Sequence, residues 1–123
     1  MITISEVILI QDILIEKFGG KRGIRDRGLL ESAINRPFQT FDSKDLYQNP
    51  VQKAAALIES IVKNHPFVDG NKRIGYVLIR LMLLDYGLDI ISTQDKKYDF
   101  VIDIASGRLD FDQICDWISK NSK

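Results

Sequence analysis

Apolar side chains recur at three- and four-residue spacing along most of the chain, and Gly, Pro, Asn and Asp punctuate it into about six helical segments. In the first, Val7, Ile8, Leu14, Ile15 and Phe18 follow Ser5 as candidate N-cap, and Gly19-Gly20 ends the run. Leu9, Ile10 and Ile13 make this helix apolar on further sides, which predicts a central position. Asp26 caps a shorter second helix carrying Leu29, Leu30, Ala33 and Ile34. Pro37 stops it, because the residue before a proline avoids helical geometry. A third helix opens with Asn49 as cap and Pro50 at the first helical position, where the missing N–H costs nothing. Its stripe is Val51, Ala54, Ala55, Ile58, Ile61 and Val62, and the next position on it is His65. The fourth spans about residues 71–86; Ile74, Val77, Leu78, Leu81 and Met82 line one face and Ile79, Leu83 and Leu84 much of the rest, so it is expected to be the most buried. Thr93 and Asp110 cap two more helices, marked by Tyr98, Val101, Ile102 and Ala105, and by Phe111, Ile114, Cys115 and Ile118.

Residues 38–48 break the helical period. Aromatic and β-branched residues there surround an Asp-Ser turn signal, which predicts a loop or short hairpin. The expected fold is therefore all-α, a compact bundle of about six helices in one domain, 1–123, with a short flap near residues 38–48.

Composition narrows the function classes. The 123 residues carry 17 Lys+Arg against 17 Asp+Glu, and this balance disfavours broad nucleic-acid binding, which needs a cationic excess. One cysteine cannot form an internal disulfide, and one cysteine with one histidine cannot build a zinc site. No apolar run reaches the roughly 18 residues of a membrane span. The opening residues, Met1 to Glu6, lack the basic region and cleavage site of a signal peptide, so the expected location is cytoplasmic. Charge is uneven: residues 16–36 carry six cations and three anions, residues 85–116 eight Asp and three cations. Solvated helix faces are the ordinary reading of both stretches.

Candidate chemistry is concentrated in His65-Pro66-Phe67-Val68-Asp69-Gly70-Asn71-Lys72-Arg73. Each residue also has a structural reading: Asp-Gly-Asn is turn chemistry, Asp69 or Asn71 can cap a helix, and His65 can complement a helix dipole. Lys72 and Arg73 resist that reading. They fall in the first turn of the fourth helix, where the dipole and free N–H groups are already positive. An anion at that helix start resolves the conflict, held by backbone N–H groups from about Gly70 to Arg73 and by both side chains. Asp69 beside it suits Mg²⁺, which keeps several waters and shares its shell with phosphates. His65, the only histidine, is the side chain best suited to accept a proton near neutrality. Together these point to phosphoryl or nucleotidyl transfer.

The segment resembles the signature of the Fic/Doc family, H-P-F-x-[D/E]-G-N-[G/K]-R, at every specified position. GIRDRGLLESAINRPFQTF and KAAALIESIVKNHPF upstream resemble its Doc-type branch, so the likeness covers most of residues 19–87. The resemblance implies His65 as the base toward a target hydroxyl, Phe67 as the anchor of the loop and Asp69 as the Mg²⁺ ligand. It also implies Gly70, Asn71, Lys72 and Arg73 as the phosphate-binding turn, ATP as co-substrate, and residues 38–48 as a flap where a target segment pairs as a strand. Family adenylyltransferases typically carry glycine where this chain has Lys72 and a second arginine where it has Tyr76. Those departures resemble Doc-like toxins, which transfer the terminal phosphate of ATP to a translation elongation factor and arrest growth. The family's self-inhibition motif, [S/T]-x-x-x-E-[G/N], does not occur; Ser106 with Asp110 comes nearest, with the wrong acid and Phe111 after it. The resemblance accordingly implies a separate antitoxin with a disordered segment that folds on binding.

Alternatives are AMP transfer at the same site, a non-catalytic binding module that keeps the fold and, more remotely, a DNA-binding regulator. Cys115, Trp117, Tyr98 and Phe100 read as packing residues, and Arg25 and Arg27 as solvated surface.

Overall fold

A computed structural model describes residues 2–123. Six α-helices follow in chain order: α1 (Ile4–Phe18), α2 (Arg27–Asn35), α3 (Pro50–Asn64), α4 (Asn71–Asp85), α5 (Gln94–Ala105) and α6 (Phe111–Lys120). A single 3₁₀ turn, Arg36–Phe38, follows α2 and leads to a two-stranded hairpin, β1 (Thr40–Phe41) and β2 (Lys44–Asp45). The all-α expectation holds, and the flap is the hairpin of its two alternatives. Its strands are antiparallel, with Thr40 opposite Asp45 and Phe41 opposite Lys44. Asp42 and Ser43 between them both have positive φ, 52° and 64°, as a type I′ turn requires. Among the described residues no helix is long and apolar enough to cross a membrane.

Most helix starts follow the local chemistry. Asp26, Asn49, Thr93 and Asp110 each accept a hydrogen bond from a backbone N–H in the first turn of their helix. The first helix differs from expectation: Thr3, not Ser5, is the N-cap, in a reciprocal capping box with Glu6. Ser5 lies inside the helix because Glu6, three residues after Thr3, completes the box two residues earlier.

The central helix is α3, not α1 or α4. Nine of its residues are buried, including Ala54, Ala55 and Ala56 in succession, and small side chains on several faces let neighbours approach from all round. α4 approaches α3 closely at Gly75, where a Cβ would lie 2.9 Å from Val62 Cγ2 and 3.3 Å from Ile58 Cγ1. In α4, Leu81 and Leu84 are exposed although Ile74, Leu78, Ile79 and Leu83 are fully buried. α1 is peripheral: only Val7, Gln11 and Ile15 are buried, while Leu9, Ile13 and Phe18 are 54–59% exposed. Periodicity registered its apolar residues but not that one stripe alone would find a neighbour.

The remaining helices close the core. Phe100 of α5 stacks on Trp117 of α6 with ring centroids 3.9 Å apart, and Ile104, Ile114 and Ile118 are fully buried beside them. Tyr98, read as packing, is instead 68% exposed. Cys115 is half-buried; burial and then the carboxylates of Asp112 and Glu59 raise its thiol above the ordinary value and keep it neutral.

Candidate active site

α3 ends at Asn64, and His65 turns the chain in the left-handed region (φ 50°, ψ 60°), its N–H donating to the Ile61 carbonyl. This turn takes His65 off the apolar stripe, so its side chain is exposed instead of continuing the buried row. Arg25 fixes the turn from outside: its Nε donates to the His65 carbonyl at 2.6 Å and a terminal nitrogen to the Asn64 carbonyl at 2.7 Å. Arg25 thus caps the C-terminus of α3, where a cation complements the dipole, and is not merely surface.

Phe67, fully buried, anchors the loop that follows. The Asn71 side chain clamps its backbone in both directions: Oδ1 accepts from the Phe67 N–H and Nδ2 donates to the Phe67 carbonyl, each at 3.0 Å. The Asn71 amide is therefore committed to the loop, and what remains for a ligand is its backbone N–H. The segment after α1 supports the loop from outside: Val68 N–H donates to the Gly23 carbonyl, and the Arg25 and Asp26 N–H groups donate to the Pro66 carbonyl. Gln11, 2% exposed, joins both segments by donating to the carbonyls of Lys21 and Asp69 and accepting from the Gly23 N–H.

Asp69 is exposed and oriented by two backbone donors, Gly70 N–H to Oδ1 at 2.9 Å and Lys21 N–H to Oδ2 at 3.3 Å. Gly70 occupies the left-handed region (φ 79°), the usual province of glycine, and starts α4 without a side-chain cap. Asp69, a candidate cap, serves the turn instead. No group among the described residues accepts from the N–H groups of Asn71, Lys72 and Arg73. Lys72 and Arg73 are both exposed beside these free donors. The Arg73 guanidinium lies over the Phe18 ring, 4.2 Å from its centroid, which orients the group while its edge donors stay free.

Asp69 to Arg73 form one wall of an open cleft of about 620 Å³. The opposite wall comes from α5, with Lys97, Tyr98, Val101 and Ile102. Tyr76 lies between, its hydroxyl buried without a partner and the Lys97 ammonium 5.9 Å from its ring centroid. Of the six sequence-predicted site residues, five line this cleft; His65 stands at the far end of the same loop and does not. No group of three or more His, Cys, Asp or Glu side chains suited to a metal occurs among the described residues; the carboxylates that line the cleft are Asp69 and, on the α5 wall, Asp95.

Sequence reading missed the support of this site. Gln11, Phe18, Gly20 and Arg25 all lie outside the motif, and only Gln11 carried a signal: a polar residue one helical turn from both Val7 and Ile15 on the buried stripe.

Residues 1–83, which include the whole loop and nearly all of α4, match the model of the Fic/DOC family. The chain is 36% identical over 99 residues to Toxin Doc of Mycolicibacterium smegmatis, covering 79% of this chain and 76% of that protein. It is 31% identical over 86 residues to a Fido domain-containing protein of Dictyostelium discoideum, covering 66% of this chain and 60% of the relative. With the loop geometry, the bundle and two relatives agreeing, the chain belongs to the Fic/DOC family.

Proposed function

We propose that this protein is a Doc-type toxin that transfers the terminal phosphate of ATP to a hydroxyl of a protein, with a translation elongation factor as the expected target. The observation that carries the reading is the start of α4: three unpaired N–H groups at Asn71, Lys72 and Arg73, two cationic side chains, and Asp69 alongside. A helix start with added cations is built for anionic oxygens. Asp69, a hard-oxygen donor beside the phosphate turn, fits Mg²⁺, which would supply charge neutralisation for the phosphates when bound.

In this reading the target hydroxyl approaches His65, whose imidazole takes its proton. The hydroxyl oxygen forms a bond to the terminal phosphorus as the bond to the bridging oxygen breaks, leaving ADP. Lys72 and the Asn71–Arg73 N–H groups hold the phosphate oxygens, and the Arg73 fork, stacked on Phe18, stabilises charge that develops on them. The 40–45 hairpin serves as the flap on which the target segment pairs as a strand. Lys72 and Tyr76, in place of glycine and a second arginine, favour transfer of the terminal phosphate over AMP. The exposed apolar residues Leu9 and Ile13, one turn apart on α1, support a further protein partner, an antitoxin whose segment folds on binding. The 123 residues act in this reading as one unit in the cytoplasm, with no nucleic acid engaged directly.

Incubation with a purified elongation factor and ATP labelled on the α or the γ phosphate tests the reaction. Label is expected on the protein from the γ position only; label from the α position establishes AMP transfer instead.

Gly20 provides an independent test of Asp69. It has φ +114°, and a Cβ there would lie 2.7 Å from Asp69 Oδ2. Gly20→Ala must therefore strain the backbone, by about 1–3 kcal/mol, and displace the carboxylate. Half-saturating Mg²⁺ in the transfer assay is expected to rise on the order of tenfold, as for other residues that orient a metal ligand.

A further inference from the structure

Residues 39–46, which contain the flap, are all exposed, Phe41 at 76% and Leu46 at 52%. Hydrophobic burial therefore cannot hold this segment, and a two-stranded hairpin is marginal by itself. Its attachment is polar and comes from α3. Lys53 is 6% exposed, and its ammonium uses all three donors on the flap: the Pro37 carbonyl at 3.3 Å, the Tyr47 carbonyl at 2.7 Å and Asp45 Oδ2 at 3.3 Å. Pro37 precedes β1 and Tyr47 follows β2, so one side chain ties both legs of the hairpin. Arg36, at the start of the first leg, adds a second tie: its Nε donates to the Tyr47 hydroxyl at 2.9 Å, and a terminal nitrogen donates to Glu59 Oε1, Ser60 Oγ and the Ala56 carbonyl of α3.

We propose that Lys53 is a positioning residue for the protein substrate: by tying both legs of the flap to α3 it holds the open hairpin edge where the target segment pairs. The proposal rests on the reading that the flap receives the target. Lys53 lies eleven residues before Asn64, the end of its helix beside His65, about 16 Å along the axis, too far to touch the reacting groups. Its effect must then fall on target binding and not on the chemical step.

Lys53→Met fills the space of the lysine stem and leaves no buried unpaired charge, since Asp45 is 57% exposed. Backbone amides of residues 40–46 are expected to exchange hydrogen about tenfold faster in this variant, with those of α4 unchanged. KM for the elongation factor should rise about tenfold, with kcat within about twofold and KM for ATP unchanged. Asp45→Ala, which removes one exposed acceptor, should move both readouts the same way by about threefold and decides the matter if Lys53→Met fails to fold. Flap amides exchanging as in the unmodified protein overturn the anchor. Faster exchange with unchanged KM, or a loss confined to kcat, overturns the role in target docking. If the unmodified protein modifies no elongation factor, the transfer reading fails, and the exchange measurement still decides whether Lys53 holds the flap.

Discussion

Replacing His65 by asparagine is expected to lower transfer by about 10²–10⁴ in rate, the contribution of a positioned general base, while the fold stays intact. Asparagine is the informative substitution because His65 sits at φ 50°, ψ 60°, a conformation asparagine tolerates and alanine adopts less readily. The imidazole is exposed and forms no hydrogen bond among the described residues, whereas the His65 carbonyl keeps its bond from Arg25 whatever the side chain. Thermal unfolding should therefore change by no more than about 0.5 kcal/mol equivalent. Transfer of γ-labelled phosphate, followed beside growth arrest on expression, gives the measurement. Arrest that persists at full strength without the imidazole would favour the binding-module alternative.

Phe67→Ala is expected to produce the largest loss of stability, about 3–5 kcal/mol. The ring is fully buried in the hydrophobic core, and its backbone is clamped from both sides by the Asn71 amide. Removing the ring opens a cavity under the turn that presents Asp69 and the free N–H groups of α4. Against the 5–15 kcal/mol of a typical domain this is a large fraction, and a melting temperature lower by roughly 10–20 °C is expected. Denaturant unfolding measures it. The two variants separate the roles within one loop: His65→Asn loses chemistry and keeps the fold, and Phe67→Ala loosens the fold and with it the chemistry.

Much of this architecture was legible before any coordinate. Caps at Asp26, Asn49, Thr93 and Asp110 and the turn at Asp42-Ser43 are encoded within a few residues, so reading along the chain finds them; α2 ends before Pro37, but Arg36 keeps helical φ and ψ and the chain runs on through Pro37 as a 3₁₀ turn. Thr3 escaped because Ser5 has the same chemistry, and only the partner Glu6 decides between them. The positions of α1 and α3 escaped for a different reason. An apolar row says that a face can be buried, not which neighbour covers it: Leu9 and Ile13 look like core and face solvent, while the alanines of α3 look unremarkable and lie at the centre.

The candidate site divides along the same line. His65 and the stretch from Asp69 to Arg73 are contiguous, so their chemistry and the helix start they form follow from local backbone geometry alone. The groups that hold this stretch come from far along the chain: Lys21 reaches Asp69 across 48 positions, Gln11 reaches it across 58, and Arg25 reaches His65 across 40. No period or spacing registers such meetings, because they depend on how α1 and the segment after it pack against α4 and the loop that precedes it. Lys53 shows this most plainly: in the sequence it is one more charge beside the apolar stripe of α3, and folding buries it under the flap with all three donors occupied. Short-range sterics and capping chemistry set what the loop is made of, and long-range packing sets where its parts stand.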